Sequence, residues 1–596
     1  MGSGASSLER PAIANEPELK DLVGKATESL SDDQLFKLVR QMNWHKRSFL
    51  CTHEGGLSEV CSGLIKLCSD VKTTKVPTKR FGRTEIQMPI VTCGGMRLQQ
   101  TWMPDNLPIS PKKINATCQN NLVECVRMSL SLGINHFETA RFYGTSELQF
   151  VDAISSMIAS GEIKREDVII QTKVTPAATN EEFRKTFELS WRHMSKLGYI
   201  DLFSFHGAST DVTFKRIFKD EEALTDGNYE VALELQREGK IKWIGFSTHG
   251  TPKPIKRMIK TEKFDYVNLH YHYFGSYHAS YYEDGEGGFG NKANVELANS
   301  LDMGVFIISP FDKGGALYRP TEIVAQCCNP LSPMTFQSLF LWNEGAHTIS
   351  IGIAKPSDFD EVVHAAGLYG DPEYETLTLP KVNLAKDNLD ATMSAAVGED
   401  WLREFWRGVP SMLEEESAGI AVCHILWLWG LVKAFGMVTF AQERYKSLEG
   451  ASKKWSDKKA LKDYKAAVVA GWAFNPGRAF EPSVSEWSPI LGSCTIKGKV
   501  VEAMEEAHSW LKSSKKPSPA LSDSDLNCEE AYSLVTWESF PGDSVTVGGV
   551  VLQNVSGGLV GAGGGKSPKH RKQSQELREF FSPDGKMAEE EKGQGV

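Results

Sequence analysis

The sequence lacks several features that mark other classes of protein. The chain of 596 residues carries a formal net charge of −10, whereas a protein that binds nucleic acid needs a basic face for the phosphates. It has no heptad array, no collagen period and no alternation typical of a porin. The negative net charge argues against nucleic acid as the main partner. With 41% hydrophobic and 24% charged residues, the composition is that of globular domains.

Signs of secretion and of metal binding are also missing. Residues 1–11 lack the apolar segment of a secretory signal peptide. The 11 cysteines are an odd number, scattered from Cys51 to Cys528, which favours reduced thiols in a cytoplasmic protein. No group of histidine, cysteine and acidic residues has the spacing of a zinc site. We therefore predict no metal.

Two segments bear on membrane association. Residues 418–432 are almost continuously apolar, but they include His424, and their roughly 15 residues fall short of the roughly 20 needed to span a bilayer. They are predicted to form a buried helix of a soluble domain. The start, MGSGAS, fits the N-myristoylation pattern with Gly2 as the acceptor and Ser6 at the required position. One acyl chain would give reversible, peripheral binding; the alternative is a small-residue leader of no consequence.

A regular alternation begins near residue 80. Short β-branched runs alternate with amphipathic stretches of about 12 to 16 residues, as in βαβ units. Eight strands are predicted, at residues 90–93, 134–138, 168–173, 200–205, 243–246, 266–270, 305–309 and 348–352. Eight strands, each followed by a crossover, predict a closed (β/α)₈ barrel of the TIM type. An open doubly wound sheet is the alternative, but no G-x-G-x-x-G follows any strand, so a Rossmann fold has no support.

Four regions follow from the change of pattern along the chain. Residues 1–72 are predicted to be a polar leader with helices, and residues 73–372 the barrel. Residues 373–512 are mostly helical and rich in tryptophan, which indicates a packed accessory domain. Residues 513–596 begin with SSKKPSPALSDSD and end rich in glycine, lysine, serine and glutamate. This last region is predicted to be a flexible, disordered tail.

Ionisable residues lie at the ends of consecutive predicted strands. Glu138 closes the second strand, Lys173 the third, and His206 follows the fourth, while Tyr143 lies in the loop after Glu138. Strand ends of a barrel meet at one mouth. A phenol near pKa 10 is a poor acid, and an adjacent ammonium lowers its pKa. The four side chains suit the protonation of a carbonyl oxygen while hydride reaches the carbon. Any one of them alone is weak evidence, because polar residues at strand ends often only cap the strand or form an ion pair.

The residues around this set resemble a known family. GINHFETARFYGTSE, residues 133–147, is similar to the signature of the aldo/keto reductases, in which an aspartate and a tyrosine stand five residues apart. IQTK at 170–173 resembles the lysine strand of that family, and DLFSFH at 201–206 its histidine strand. EGKIKWIGFS, ISPFDKGGAL and SIGIAKPSDFDE match later blocks in the right order. The resemblance covers about residues 80–370, and its motifs are specific jointly rather than singly.

The resemblance implies an NADP(H)-dependent oxidoreductase that reduces a small aldehyde or ketone to an alcohol. Tyr143 would be the general acid in a tetrad with Glu138, Lys173 and His206. The positions that match cofactor contacts are Ser247 and Asn268 for the nicotinamide carboxamide, Ser309, Lys313 and Gly314 for the loop over the pyrophosphate, Gly352 at the last strand end, and Lys355 for the 2′-phosphate. The alternative is a catalytically weak or inactive nucleotide-binding barrel that acts as a sensor or scaffold.

Several residues depart from the family pattern. Glu138 replaces the usual aspartate, and its extra methylene must be absorbed by Lys173 or by the strand end. The cofactor positions that depart are Thr248 for asparagine, Asn268 for glutamine, Ile308 for a stacking aromatic residue and Val362 for an asparagine near adenine. These changes affect cofactor contacts more than the fold.

The region after the barrel resembles the C-terminal extension of aldo/keto reductases that carry an iron–sulfur segment. Such clusters need several closely spaced thiolates, but Cys423 stands alone and the next cysteine is Cys494. We therefore predict no cluster. The region would be a packing remnant or a surface for a protein partner.

Overall fold

The structure is a computed structural model. It describes residues 75–100, 107–110, 112, 114–276, 282–412, 417, 419–455, 477–480, 490–491 and 493–512, together with the strands within 544–561. Gly2 and the leader predicted for 1–72 lie outside the described residues, so both stay predictions.

Eight parallel strands close into a barrel, in the order β10-β3-β4-β5-β6-β7-β8-β9. The strands are β3 Val91–Gly94, β4 His136–Glu138, β5 Ile169–Val174, β6 Ile200–Phe205, β7 Ile241–Ser247, β8 Tyr266–Leu269, β9 Gly304–Ile308 and β10 Thr348–Gly352. Each predicted strand agrees with the structure to within two residues at both ends. The predicted (β/α)₈ barrel is therefore confirmed. The strands could be predicted because runs of buried β-branched and aromatic residues are a local pattern of the sequence.

A hairpin precedes the barrel and closes its lower end. Its strands are β1 Thr78–Arg80 and β2 Gln87–Pro89, and they pair antiparallel. Phe81, from the turn between them, is fully buried in a small cluster with the barrel-facing side chains of Leu202 and Tyr266. Because hydrophobic side chains fill this end, chemistry is left to the opposite end, at the C-terminal ends of the strands.

Ten helices belong to the barrel part of the chain that the structure describes. They are α1 Ala116–Ser131, α2 Ser146–Ser160, α3 Asn180–Met194, α4 Asp211–Ile217, α5 Asn228–Arg237, α6 Pro252–Ile259, α7 Lys292–Ser300, α8 Glu322–Cys328, α9 Pro333–Asn343 and α10 Asp360–Tyr369. Side-chain caps define several of their starts: the Thr179 side chain accepts from the backbone N–H of Glu182 at the start of α3, and Asn115 caps α1 in the same way.

Further helices follow the barrel. They are α11 Leu379–Val397, α12 Glu399–Glu404, α13 Val422–Phe435, α14 Val438–Trp455 and α15 Lys497–Leu511. The apolar run around His424 forms α13, and all its residues but Lys433 are buried, so the predicted buried helix is confirmed. Among the described residues, no helix is long and apolar enough to cross a membrane.

Three short strands lie within the segment for which a flexible tail is predicted. β11 Ser544–Val547, β12 Val550–Val555 and β13 Gly558–Gly561 form an antiparallel sheet in that order. The seven cysteines in the described part of the chain are all free thiols. The domain boundaries predicted from the sequence stay predictions.

Candidate active site

Glu138 and Lys173 meet at the mouth of the barrel. They end neighbouring strands, β4 and β5, and Lys173 Nζ forms an ion pair with Glu138 Oε1. Lys173 Nζ also donates to the backbone oxygen of Thr139 at 2.9 Å, and Ser350 Oγ, from β10, donates to Glu138 Oε2 at 3.3 Å. The glutamate therefore uses both carboxylate oxygens, one toward β5 and one toward β10, and this is how the longer side chain is accommodated.

Tyr143 lies in the turn that follows β4. Two backbone hydrogen bonds shape this turn, from Arg141 N to Lys173 O and from Tyr143 N to Ala140 O, both 2.9 Å. The ring of Tyr143 lies 4.6 Å from Lys173 Nζ, measured to the ring centroid. It meets the His206 ring edge-on, with 5.7 Å between centroids. The structure thus brings the predicted acid, phenol, lysine and histidine together at one mouth.

Burial dominates the protonation of these groups. It lowers the pKa of Lys173, and the ion pair with Glu138 opposes this shift because it favours the charged ammonium. Burial also lowers the pKa of His206, with smaller contributions from the charges of Lys173 and Lys313, so the imidazole is neutral near pH 7. Burial raises the pKa of Tyr143. A nearby ammonium acts in the opposite direction, and burial outweighs it here; the phenol is held protonated, which is the form that can donate.

Ser247 and Asn268 are direct neighbours at the ends of β7 and β8. Both are buried. Gln171 Nε2 donates to Asn268 Oδ1 at 3.3 Å, and Asn268 Nδ2 has no partner in the described part of the chain. A buried amide end without a partner is costly unless a ligand or water meets it. This position fits a group that carries its own amide, such as a nicotinamide.

The loop after β9 closely approaches the loop that follows β8. Ser309 has a left-handed backbone with φ +54, and Lys313 is buried. Gly314 lies against the His272 ring, so that a Cβ at this position would come within 2.8 Å of His272 Cγ. Only glycine fits there. Burial lowers the pKa of Lys313 to about 8, so this lysine is still mostly charged at pH 7.

Gly352 and Lys355 lie at and beyond the end of β10. A Cβ on Gly352 would come within 2.8 Å of Arg97 Nε. Lys355 is exposed, and its backbone N–H donates to Asp358 Oδ2 at 3.1 Å. Lys355 thus lies outside the tetrad, on the outer side of the same barrel end. Val362, on α10, is buried.

Sequence reasoning missed several residues that hold this site. Arg141, in the Tyr143 turn, and Glu147, at the start of α2, are both fully buried and pair at 3.1 Å. Thr172 Oγ1 donates to Glu147 at 2.6 Å. Strand alternation could have found Ser350, which shares a face of β10 with Thr348. No local pattern marks Arg141, because charged residues in loops are usually exposed. In the described part of the chain, no group of three or more histidine, cysteine or acidic residues could hold a metal ion.

These features define a TIM-type barrel with an acid, a phenol, a lysine and a histidine at its mouth. Residues 91–283 match the model of the aldo/keto reductase family. Curated relatives include aldo-keto reductase family 1 member C1 of Macaca fuscata fuscata, 32% identical over 89 residues, 15% of this chain and 27% of that protein. Member C3 of Pongo abelii is 29% identical over 140 residues, 22% of this chain and 42% of that protein. Residues 91–283, less than half of the chain, are thus similar to the aldo/keto reductase family.

The matches to relatives are partial. The chain spans 27% of the length of the macaque protein. Similar solved structures include aldo-keto reductase AKR11C1 from Bacillus halodurans, in its holo form, at 16% identity and a TM-score of 0.38, covering 52% of this chain and 96% of that one. Another is the Bombyx mori aldo-keto reductase in complex with NADP, at 16% identity and a TM-score of 0.36, covering 53% of this chain and 93% of that one.

Proposed function

We propose that this chain reduces an aldehyde or a ketone to an alcohol with NADPH as the hydride donor. The observation that carries this proposal is the convergence of Tyr143, Lys173 and His206 at one mouth, with Lys173 paired to Glu138. A protonated phenol beside a neutral imidazole is suited to give a proton to a carbonyl oxygen. The match of residues 91–283 to the model of the aldo/keto reductase family supports it.

Each residue of the tetrad has a distinct part in this proposal. Tyr143 donates the proton from its hydroxyl to the carbonyl oxygen of the substrate. His206, held neutral by burial, orients that oxygen. Lys173 lies beside the phenol ring and stabilises the phenolate that proton donation leaves. Glu138 keeps Lys173 in place through the ion pair, so it is a positioning residue.

The cofactor residues proposed are those at the same end of the barrel. When bound, NADPH supplies the hydride from C4 of its nicotinamide. Ser247 and the unpartnered end of the Asn268 amide would hold the carboxamide. Ser309, Lys313 and Gly314 would bind the diphosphate from the loop after β9. Gly352 leaves room at the end of β10, and Lys355 would neutralise the 2′-phosphate.

One observation favours the alternative, a weak or inactive nucleotide-binding barrel used as a sensor or scaffold. Burial raises the pKa of Tyr143, which makes its hydroxyl a poorer acid. A fluorescence titration with NADPH, combined with a panel of aldehydes and ketones, separates the two functions. Binding with consumption of NADPH supports the reductase. Binding without consumption on any substrate supports the scaffold, and absence of binding contradicts both.

The N-terminal lipid and the region boundaries are proposals of the same kind. Myristate on Gly2 would add reversible membrane association to a cytoplasmic enzyme. Mass spectrometry of the N-terminal peptide tests this, with Gly2→Ala as the control. The boundaries at 72, 372 and 512 can be tested by limited proteolysis, which should cut first at the proposed junctions.

A further inference from the structure

The helices that follow the barrel bring a charged side chain to its mouth. Arg444, on α14, places Nη2 3.9 Å from Oδ1 of Asp312, in the loop after β9. Arg97, which follows β3, places Nη2 3.3 Å from the other carboxylate oxygen. Lys313 is the next residue in the chain and is buried. Cations from three distant parts of the sequence therefore surround one carboxylate.

Buried contacts fix α13 over the loops after β8 and β9, and α14 follows α13 directly in the chain. The Trp427 indole N–H donates to the backbone oxygen of Phe274 at 2.6 Å. The Thr321 hydroxyl donates to the backbone oxygen of Phe435, also at 2.6 Å. Both hydrogen bonds are buried, and the rings of Phe274 and Phe435 meet edge-on at 5.5 Å. Because these loops follow the C-terminal ends of strands, the helices lie on the face of the barrel that holds the candidate site.

The guanidinium of Arg444 is held rather than solvated. Its side chain is 19% exposed and stacks over the Phe440 ring at 5.1 Å. Burial lowers the pKa of His424 to about 3, and the charge of Arg444 adds to this effect. An arginine kept in this place pays a desolvation cost, which an anionic partner offsets.

The balance of charge around Asp312 favours an anion. Burial alone would raise the pKa of this carboxyl, but Arg444, Arg97 and Lys313 together hold it below its usual range. The carboxylate is therefore charged, and it faces three cations. Burial is the main cause of the lowered pKa of Lys313; the charge of Asp312 opposes it, and the charges of Arg444 and Arg97 add to it. A second anion placed here would relieve the repulsion among the three cations.

We propose that Arg444 is a ligand-binding residue of the barrel, which together with Arg97 and Lys313 binds the diphosphate of a dinucleotide. The proposal rests on the proposed function, because it takes the dinucleotide to be the ligand of this mouth. It makes the region after the barrel a part of the cofactor site rather than a packing remnant. A diphosphate carries two negative charges, and guanidinium groups bind phosphate oxygens with paired hydrogen bonds.

The test is the binding of three probes to the full chain, followed by calorimetry. NADPH is the whole dinucleotide, ADP-ribose has the diphosphate without nicotinamide, and 2′-AMP has a phosphate but no diphosphate. Arg444→Gln is expected to weaken NADPH and ADP-ribose by at least about tenfold and to leave 2′-AMP unchanged. Arg403→Gln is the matched control, since its guanidinium is exposed and pairs with Asp400 in its own helix.

Each outcome decides the proposal. The proposal is overturned if Arg444→Gln binds ADP-ribose with unchanged affinity, or if its affinity for 2′-AMP falls by the same factor. In either case, binding of NADPH by the wild type leaves the proposed function standing. A wild type that binds neither NADPH nor ADP-ribose overturns both. If Arg444→Gln does not fold, Arg444→Lys replaces it. The lysine keeps the charge without the planar fork, so ADP-ribose should bind several-fold more weakly and 2′-AMP equally; an unchanged affinity for ADP-ribose overturns the proposal.

Discussion

The ammonium nitrogen of Lys173 lies 4.6 Å from the centroid of the Tyr143 ring. This contact joins the end of β5 to the turn after β4, and the ion pair with Glu138 fixes the ammonium from the other side. In the proposed mechanism the charge of this lysine would stabilise the phenolate that proton donation leaves. The phenol itself stays protonated until then, because burial raises its pKa.

The first prediction concerns Tyr143. Tyr143→Phe removes the proposed proton donor and keeps the ring, so we expect kcat to fall by about 10² to 10⁴ with an unchanged Kd for NADPH. Single-turnover assays and a fluorescence titration measure the two quantities. Tyr199→Phe is the control, because its ring packs against Arg165 and Lys242 just before β6 begins, at the opposite end of the barrel. Activity of Tyr143→Phe near that of the wild type would show that another group is the acid.

The second prediction concerns the length of Glu138. Its carboxylate meets both Lys173 and Ser350, and an aspartate cannot reach both. We therefore expect Glu138→Asp to lower kcat by about 10- to 100-fold, because the lysine loses its fixed position. Steady-state kinetics on one aldehyde measures the change.

Ser350→Ala is the control for this substitution. It removes only the hydrogen bond to Oε2 and leaves the ion pair, so its loss of kcat should be smaller than that of Glu138→Asp. A gain in kcat for Glu138→Asp would mean that Glu138 is a decayed position, and it would favour the scaffold over the reductase.

The fold was predictable from the sequence to a greater degree than the site. Eight apolar runs predicted the strands, because a buried parallel strand is a nearly continuous apolar run in the sequence. Glu138, Lys173 and His206 were found because strand ends of a barrel meet. Ser350 and Arg444 were not found. Their partners are Glu138 and Asp312, far away in sequence. Strand alternation gives the face of β10 on which Ser350 lies but not its partner, and no local pattern marks Arg444.

The third prediction concerns the choice between NADPH and NADH. Lys355 is the basic residue proposed to meet the 2′-phosphate, so the wild type should have the higher kcat/KM with NADPH. Lys355→Ala should reduce that preference by about tenfold, the value of one charge-assisted contact. Lys185→Ala, an exposed lysine on α3, should leave it unchanged.

Asp358 makes this test sharper. Its carboxylate accepts from the backbone N–H groups of Ala354 and Lys355, which puts negative charge beside the proposed phosphate position. Asp358→Asn should therefore raise the preference for NADPH. A wild type that prefers NADH would reject the assignment of Lys355.

The fourth prediction is a pH dependence set by Lys313. Burial lowers its pKa in the folded protein from 10.5 to about 8, so its positive charge is lost as the pH rises through that value. If Lys313 binds the diphosphate, the Kd for NADPH should rise over the same range. Stability changes in the other direction from binding. Between about pH 8 and pH 10.5 the unfolded chain holds more protons at this lysine than the folded protein does, so the free energy of unfolding rises with pH over that range.

Titrations from about pH 6.5 to about pH 9.5 test this dependence. Lys313→Met should bind NADPH weakly at every pH and lose the midpoint near 8. If the same midpoint persists in Lys313→Met, another group causes it.

The fifth prediction concerns the attachment of α13 to the barrel. Trp427→Phe keeps most of the ring but removes the indole N–H that donates to the buried carbonyl of Phe274. A buried acceptor left without its donor costs about 1 to 3 kcal/mol, so the free energy of unfolding should fall by that amount. Urea denaturation measures it. Trp429→Phe is the matched control on the same helix, since its indole N–H donates to Glu506, whose side chain is 40% exposed and can bond water instead. We expect a smaller loss of stability there.

The same pair of substitutions tests whether Arg444 depends on this attachment. If it does, Trp427→Phe should also weaken the binding of ADP-ribose, while Trp429→Phe should not. Equal effects of the two substitutions on stability and on binding would show that the Phe274 contact does not hold the helices on the mouth.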